Sequence, residues 1–504
     1  MRGSSVCRML YNKNWPKQVF IRKYKESCME NSVIKNILRH GTETQKMRKG
    51  FARREFFSAM TLRLRRLACV FWGRQLFAVT LGGFLLAVLS PVWGGNVEEF
   101  SVNGLKVILK ANPANEIIAV NLYIRGGVLN VTPETAGIEA LLLDSATKGT
   151  VKYPKEKLNA ELSRLGTQIG GAVEHDYSLI NMRCVKAHFD LSWDVFADVI
   201  LNPRFDPQEV ERVREQLLAA LRQRNDHPDS HLELLGEARF YHGHPYAVAP
   251  EGTAESVSKI TIAQMRQYLN DNLITSKLLL VVVGNVDKTD LQNKITAAFG
   301  QLPAGNYQPH YPAMVKHPAA GVHIEAQDLP TNYIAGYFTA PSRRDADYYA
   351  MRTAVAILQD RIFEEVRTKR NLSYAPEARL EDLFANHGKL YVTTVEPDST
   401  IKIMLAEVKR LQNRLLDPDG LRDRIKLSLT SYHLENETNA AQAAFLARFE
   451  LAGLGWRASE KFVKNRQKVT PEQVRHVAQK YMNNFQFVVI GDPAKIDQKL
   501  FISK

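Results

Sequence analysis

The chain has 504 residues, 45% hydrophobic and 24% charged, a composition that excludes a disordered chain, a collagen-like chain and a polytopic membrane protein. Its net charge of +14 is concentrated at the front: residues 1–74 hold 18 Lys and Arg against 4 Asp and Glu, and the remainder holds 49 of each sign. The body therefore gives no electrostatic reason to expect nucleic acid.

Residues 1–59 form a basic extension. Arg63, Arg65 and Arg66 follow Met60, and an apolar run of 14 residues spans 76–89. A membrane span needs about 20 residues. The shorter run suits the h-region of a secretory signal over 60–95, with cleavage expected near Gly94 or Gly95. An uncleaved anchor is the rival reading. Met60 stands where such a signal would start, so residues 1–59 read either as an over-called start or as a basic tail. Cys7, Cys28 and Cys69 fall in this part. Cys184 alone remains in the body, which permits neither an internal disulfide nor a Cys-based zinc site.

From residue 96 the pattern changes. A strand is expected over 105–110 and another over 117–124, ending at Gly126-Gly127. Helices are expected over 134–147 and 207–224. Thr132 is the expected N-cap of the first, Pro133 its first residue and Gly149 its stop. His227 and His231 have i,i+4 spacing, but Pro228 keeps His227 out of a helix interior, so the pair reads as a helix start rather than a metal site. His242-Gly243-His244 reads as a turn. Thr261 caps a helix that leads into the apolar run 278–284. The Pro- and Gly-bearing stretch 302–321 reads as a linker between halves 96–301 and 322–504. In the second half, a strand is expected over 332–339 and a helix over 345–369. Thr470 and Pro471 then open a helix that leads into an apolar run ending at Gly491. Thr261 and Thr470 lie 209 residues apart, and Gly284 and Gly491 lie 207 apart. That repetition predicts a duplicated domain, and the mixture of elements predicts an α+β fold in each half.

The stretch from Ala136-Gly137-Ile138 to Lys148-Gly149-Thr150 resembles the signature helix of the zinc peptidase family of pitrilysin, insulysin and the mitochondrial processing peptidase, the inverzincins. Asn103-Gly104-Leu105, Gly126-Gly127, Gly166 followed by Glu174, the Asn202-Pro203-Phe205 turn, and His244-Pro245-Tyr246 with Gly252-Thr253 follow in family order. The resemblance covers about 97–504. It implies two homologous halves, each a mainly antiparallel sheet packed with helices, facing each other across a chamber. Active members carry an inverted His-x-x-Glu-His, which places two zinc-binding histidines one turn apart with a general base beside the second. A further Glu completes the site. Here the first His position is Ala140, the base position Leu143, the second His position Asp144 and the remote Glu position Ala220, 76 residues beyond Asp144. The resemblance thus implies a degenerate motif with no catalytic residue retained, no metal ligand set and no cofactor in this chain, because one carboxylate is no zinc site.

The segment from Glu364 to Tyr374 resembles the family's segment with Arg and Tyr seven residues apart. The resemblance implies that Arg367 and Tyr374 bind substrate and stabilise a developing oxyanion, for which guanidinium and phenol are suitable donors. Spacing alone suggests otherwise: Arg367 would pair with Glu364 on one helix face, and Tyr374 would be a core residue of the strand it begins. The resemblance therefore implies the zinc-free, non-catalytic subunit of a heteromeric peptidase, inactive alone. It would bind unfolded peptide and lend Arg367 and Tyr374 to a zinc-bearing partner of the same family. An export signal suits the bacterial periplasm. The alternative is a stand-alone peptide-binding or scaffold protein of the same fold.

Overall fold

The computed structural model describes residues 96–502, so the signal segment and basic extension expected over 1–95 lie outside the described residues. The first half runs β1 (Val97–Val102), β2 (Leu105–Ala111), β3 (Ile117–Arg125), α1 (Ile138–Ala146), α2 (Lys155–Leu165), β4 (Gln168–Val173), β5 (Tyr177–Val185), α3 (Phe189–Leu201), α4 (Pro207–Asp226), α5 (Pro228–Phe240), α6 (Ala254–Lys259), α7 (Ile262–Asn272), β6 (Leu278–Gly284) and α8 (Lys288–Phe299). Residues 302–320 carry neither helix nor strand. The second half runs β7 (Gly321–Ala326), β8 (Asn332–Thr339), α9 (Tyr348–Ile362), β9 (Glu377–Leu380), β10 (His387–Thr394), α10 (Pro397–Asn413), α11 (Pro418–Glu435), α12 (Asn439–Leu451), α13 (Phe462–Gln467), α14 (Pro471–Tyr481), β11 (Gln486–Gly491) and α15 (Gln498–Ile502).

The two sheets share one topology. The first has strand order β1-β2-β6-β3-β5-β4 and the second β7-β11-β8-β10-β9. Without β1 the orders are the same. In each, the last strand of the half inserts beside the first, parallel to it, and antiparallel to the next. All other pairs are antiparallel. The repeated helix before that last strand is capped alike in both halves. Thr261 accepts from Gln264 N–H while Gln264 accepts from Thr261 N–H, and Thr470 and Gln473 do the same. Such a cap stabilises a helix end by about 1 kcal/mol.

The inserted strands explain why 278–284 and 486–491 are apolar without alternation. Leu278, Leu280 and Val282 face the first half's own helices. Leu279, Val281 and Val283 face the other way, onto Ala443, Leu446, Ala447 and Leu451 of α12. In the second sheet, Phe487 and Val489 face that half's own helices, while Val488 and Ile490 lie with Leu232 and Phe240 of α5. Each half thus lends one helix to the far face of the other's sheet. Gly236 allows α5 to lie close: a Cβ there would stand 2.3 Å from Tyr337 Cε2. Polar ties reinforce the exchange, with Tyr241 Oη donating to Ala385 O at 2.6 Å and Lys389 Nζ to Glu233 at 2.7 Å. The halves face each other and share two buried apolar clusters. A cleft of about 470 Å3 remains between the end of α5 and the β7–β11 edge. Among the described residues no helix is long and apolar enough to cross a membrane.

The exchange predicts that the halves unfold together. Leu232→Ala, at a position 1% exposed, should cost about 2–5 kcal/mol. Urea denaturation should keep a single transition, read alike by probes in the first and second halves.

Candidate functional site

The degenerate motif lies on α1, which begins later than its sequence suggests. Thr132 does not cap it; its N–H donates to Thr135 Oγ1 at 2.9 Å in a preceding turn. The helix starts at Ile138, behind Gly137 in the left-handed region at φ 86°. A Cβ on Gly137 would lie 2.5 Å from the Glu251 carbonyl oxygen. The loop around Glu251, remote in sequence, therefore requires glycine at the residue where the helix begins. Its last residue is Ala146, with Thr147 as C-cap, and Gly149 lies beyond it.

The motif positions on α1 present little chemistry. Ala140 is buried, and Leu143 is 3% exposed. Leu143 packs onto the edge strand β4, where a Cβ on Gly171 would stand 2.7 Å from Leu143 Cβ. Asp144 is exposed; the surrounding protein raises its carboxyl above the ordinary range and Lys148 opposes the shift. Ala220 is exposed on α4, which packs against α1. These residues do not fit a zinc ion. Two methyl groups, an isobutyl group and one carboxylate supply a single donor side chain where a catalytic site needs three. Among the described residues no group of three or more His, Cys, Asp or Glu could hold a metal.

Glu139, next to Ala140, is what the sequence reading missed. It is buried, and its carboxylate accepts from Ser178 and Tyr268, with Asn130 Nδ2 at 3.4 Å. Burial pushes the Glu139 carboxyl up, and burial together with Glu139 pushes the Tyr268 phenol up. A glutamate in the first turn of an apolar helical run was the available signal. Beside the start of α1 a cavity of about 400 Å3 opens, lined in part by Ala136, Leu221, Leu234, His175 and Glu237. Burial lowers His175 to about 4 and raises Glu237 to about 8, so both are largely uncharged near neutrality. Asp176 follows His175. It accepts from the Tyr246 hydroxyl and, at 3.1 Å, from Phe384 N–H of the second half.

The histidines set aside in the sequence serve as structure. His227 joins α4 to α5 as the cap of both, and His231 Nε2 meets Glu325 at 2.9 Å. His244 Nδ1 accepts from Tyr246 N–H at 3.1 Å in the turn after Gly243.

In the second half, α9 starts at Tyr348 rather than at 345 and widens after Ile362. Over Phe363–Thr368 the bonding steps out to five residues, with Lys369 N–H donating to Glu364 O at 2.9 Å. Asn371, at φ 53°, then turns the chain. Such wide turns recur at functional sites. Arg367 lies in the wide turn, its guanidinium 4.7 Å from the centroid of the Tyr374 ring, and it donates to Asn371 Oδ1. Tyr374 is 79% exposed. It does not begin a strand; β9 starts at Glu377. Nor is Arg367 paired with Glu364: Lys369 lies 3.9 Å from Glu364, and Lys369 and Arg370 share Glu365. The two predicted side chains are thus stacked together, Arg367 half-buried and the Tyr374 ring presented to solvent.

The family description "Insulinase (Peptidase family M16)" matches residues 106–253, and "Peptidase M16 inactive domain" matches 259–428. An uncharacterized zinc protease of Mycobacterium bovis is 25% identical over 390 residues, 74% of this chain and 88% of that protein. The beta subunit of the mitochondrial processing peptidase of Blastocladiella emersonii is 24% identical over 266 residues, covering 51% of this chain and 55% of that subunit. The uncharacterized zinc protease YmxG of Bacillus subtilis is 24% identical over 191 residues, 38% of this chain and 47% of its own. The chain thus spans about half the length of these last two relatives. Among solved structures, an M16 inactive domain from Pseudomonas fluorescens superposes with a TM-score of 0.73 at 21% identity, covering 80% of this chain and 100% of that one.

The buried Asp176 gives this region a pH dependence. Burial raises its carboxyl from 3.8 to about 7. A raised acid binds its proton more tightly in the folded state, so its stabilising effect is complete below pH 3.8 and is lost as pH rises through about 7. Asp176→Asn cannot ionise. Denaturation measured at several pH values should therefore show the variant losing less stability than the natural chain between those limits.

Proposed function

We propose, since the chain belongs to the insulinase (M16) family of peptidases, that it is the zinc-free, non-catalytic subunit of a heteromeric peptidase. The observation that carries this reading is the contrast between its two functional segments. On α1 alanine and a lone carboxylate stand at the metal-binding positions and leucine at the base position, while Arg367, half-buried, stacks on the exposed ring of Tyr374. A folded chain gains little stability from leaving a tyrosine ring largely in water. Arginine and tyrosine are, however, the side chains most often found at the centres of binding surfaces.

The chemistry proposed for the pair is electrostatic. Guanidinium N–H groups and the phenolic O–H are donors that hold a peptide carbonyl oxygen and bind it more strongly as it gains negative charge. Stacking on Tyr374 and the bond to Asn371 restrict the Arg367 side chain before substrate arrives, which lowers the entropic cost of binding. The edge position of β4, against α1, supports peptide binding as well, because an extended peptide can add to a free strand edge through main-chain hydrogen bonds. The zinc and the general base would come from a partner subunit of the same family. Export through the 60–95 segment would place the complex in the bacterial periplasm. A second reading, peptide binding or scaffolding without catalysis, draws on β4 alone and needs neither Arg367 nor Tyr374.

The double variant Arg367→Ala, Tyr374→Phe separates the two. In the complex with its zinc-bearing partner, kcat/KM on an unfolded peptide should fall by about 10²–10³-fold, with assembly by size-exclusion chromatography unchanged. Unaltered turnover in an intact complex would favour the scaffold reading.

A further inference from the structure

The shared strand order leaves one position filled in the first sheet and open in the second. β2 carries β1 on its outer side, whereas β7, its counterpart, is an edge strand among the described residues. Gly321 N–H and Gln327 N–H both donate towards β11, to Phe485 O and Gly491 O. Backbone direction alternates along a strand, so Val322 and Ile324 turn their N–H and C=O groups to the open side. Unpaired groups of this kind are a template for another strand.

The cleft beside that edge carries one full positive charge, on Arg239, which donates to the His323 ring. The cleft of about 470 Å3 is lined by Val322, Phe487 and Val488 together with Arg239, His242 and His323, and no carboxylate lines it. Arg239 Nη2 lies 3.2 Å from His323 Nε2 and makes no ion pair among the described residues. Glu325, further along β7, is occupied by His231 at 2.9 Å and Gln327 at 2.7 Å.

The filled position shows what such an edge accepts. β1 reads Val-Glu-Glu-Phe-Ser-Val. Glu98 meets Lys288 at 2.8 Å, and Glu99 meets Trp456 Nε1 at 2.6 Å and Arg457 at 3.3 Å. Trp456 and Arg457 follow α12, the helix lent to the first sheet. Arg239 and His242 lie at the end of α5, the helix lent to the second. The chain's own front is a poor occupant, because residues 1–74 carry a net charge of +14.

We infer that the open β7 edge is a docking site for an extended, acidic segment of another polypeptide, added to β7 as β1 is added to β2, with a carboxylate at Arg239. Main-chain bonds to Val322 and Ile324 supply pairing, and Arg239 selects charge. The inference stands on residues separate from Arg367 and Tyr374, so its failure leaves the peptidase-subunit reading untouched.

The test uses the full chain and a fluorescent ten-residue peptide of alternating valine and glutamate, with a valine–lysine peptide as control. Anisotropy should rise with the glutamate peptide only, and the effect should weaken with salt. Hydrogen exchange at the Val322 and Ile324 amides should slow on binding. Arg239→Glu should weaken binding by about tenfold or more. Val322→Pro should abolish it with an unchanged thermal melt, since an edge strand tolerates proline where its N–H faces outward. The inference is overturned if the glutamate peptide does not bind at millimolar concentration, if the lysine peptide binds equally, or if neither variant changes binding. Concentration-dependent self-association that Val322→Pro abolishes would overturn it in favour of a second copy.

Discussion

The structure depends on the reciprocal burial of two sheets that are apolar on both faces. Six residues of β6, Leu278 to Val283, divide evenly between two cores, one built by the first half's own helices and one by α12. β11 divides its residues in the same way, with α5 on the far face. Uncovering either far face would expose several fully buried aliphatic side chains, each worth about 1.5–3 kcal/mol in the buried state. Separating the halves would therefore cost both of them stability. α5 follows α4 with only His227 between them, and α4 packs on α1. The exchange thus links the motif helix to the second sheet.

Within that frame α1 is kept as packing. A carboxylate at position 143 would lie in the space that Leu143 now fills against Gly171, and an unpaired charge there would be costly. Glu139 takes over the polar anchoring of the helix, through Ser178 and Tyr268. The second half follows a different logic. A wide turn and a left-handed Asn371 carry Arg367 and Tyr374 out of the core and bring them together. On the proposed reading, a peptide site without its metal side is chemically incomplete and would need a second chain.

Much of the fold was legible because its signals are local. Thr261 and Thr470 cap their helices as their residue types demand, and continuous apolar runs mark strands covered on both faces. Replacement of histidine and glutamate by alanine and leucine could be read directly, since no conformation gives those side chains a metal ligand. What could not be read is set by contacts between distant residues. Glu251 requires glycine at 137, where α1 begins, and no local rule for Thr132 and Pro133 contains that contact. Tyr374 was expected to begin a strand, which starts instead at Glu377, after the wide turn and the left-handed Asn371. α5 and α12 carry apolar residues without a strong one-sided bias, so nothing local says that each covers the far sheet. The open edge of β7 is visible only once strand order is known.

The central claim is that this chain works with a zinc-bearing relative. The most direct measurement is to recover the tagged natural chain from its host under native conditions and identify, with stoichiometry, what stays bound. The account predicts one second chain in fixed ratio, carrying an intact His-x-x-Glu-His and bound zinc. A monomer or a homo-oligomer with no such chain would contradict it.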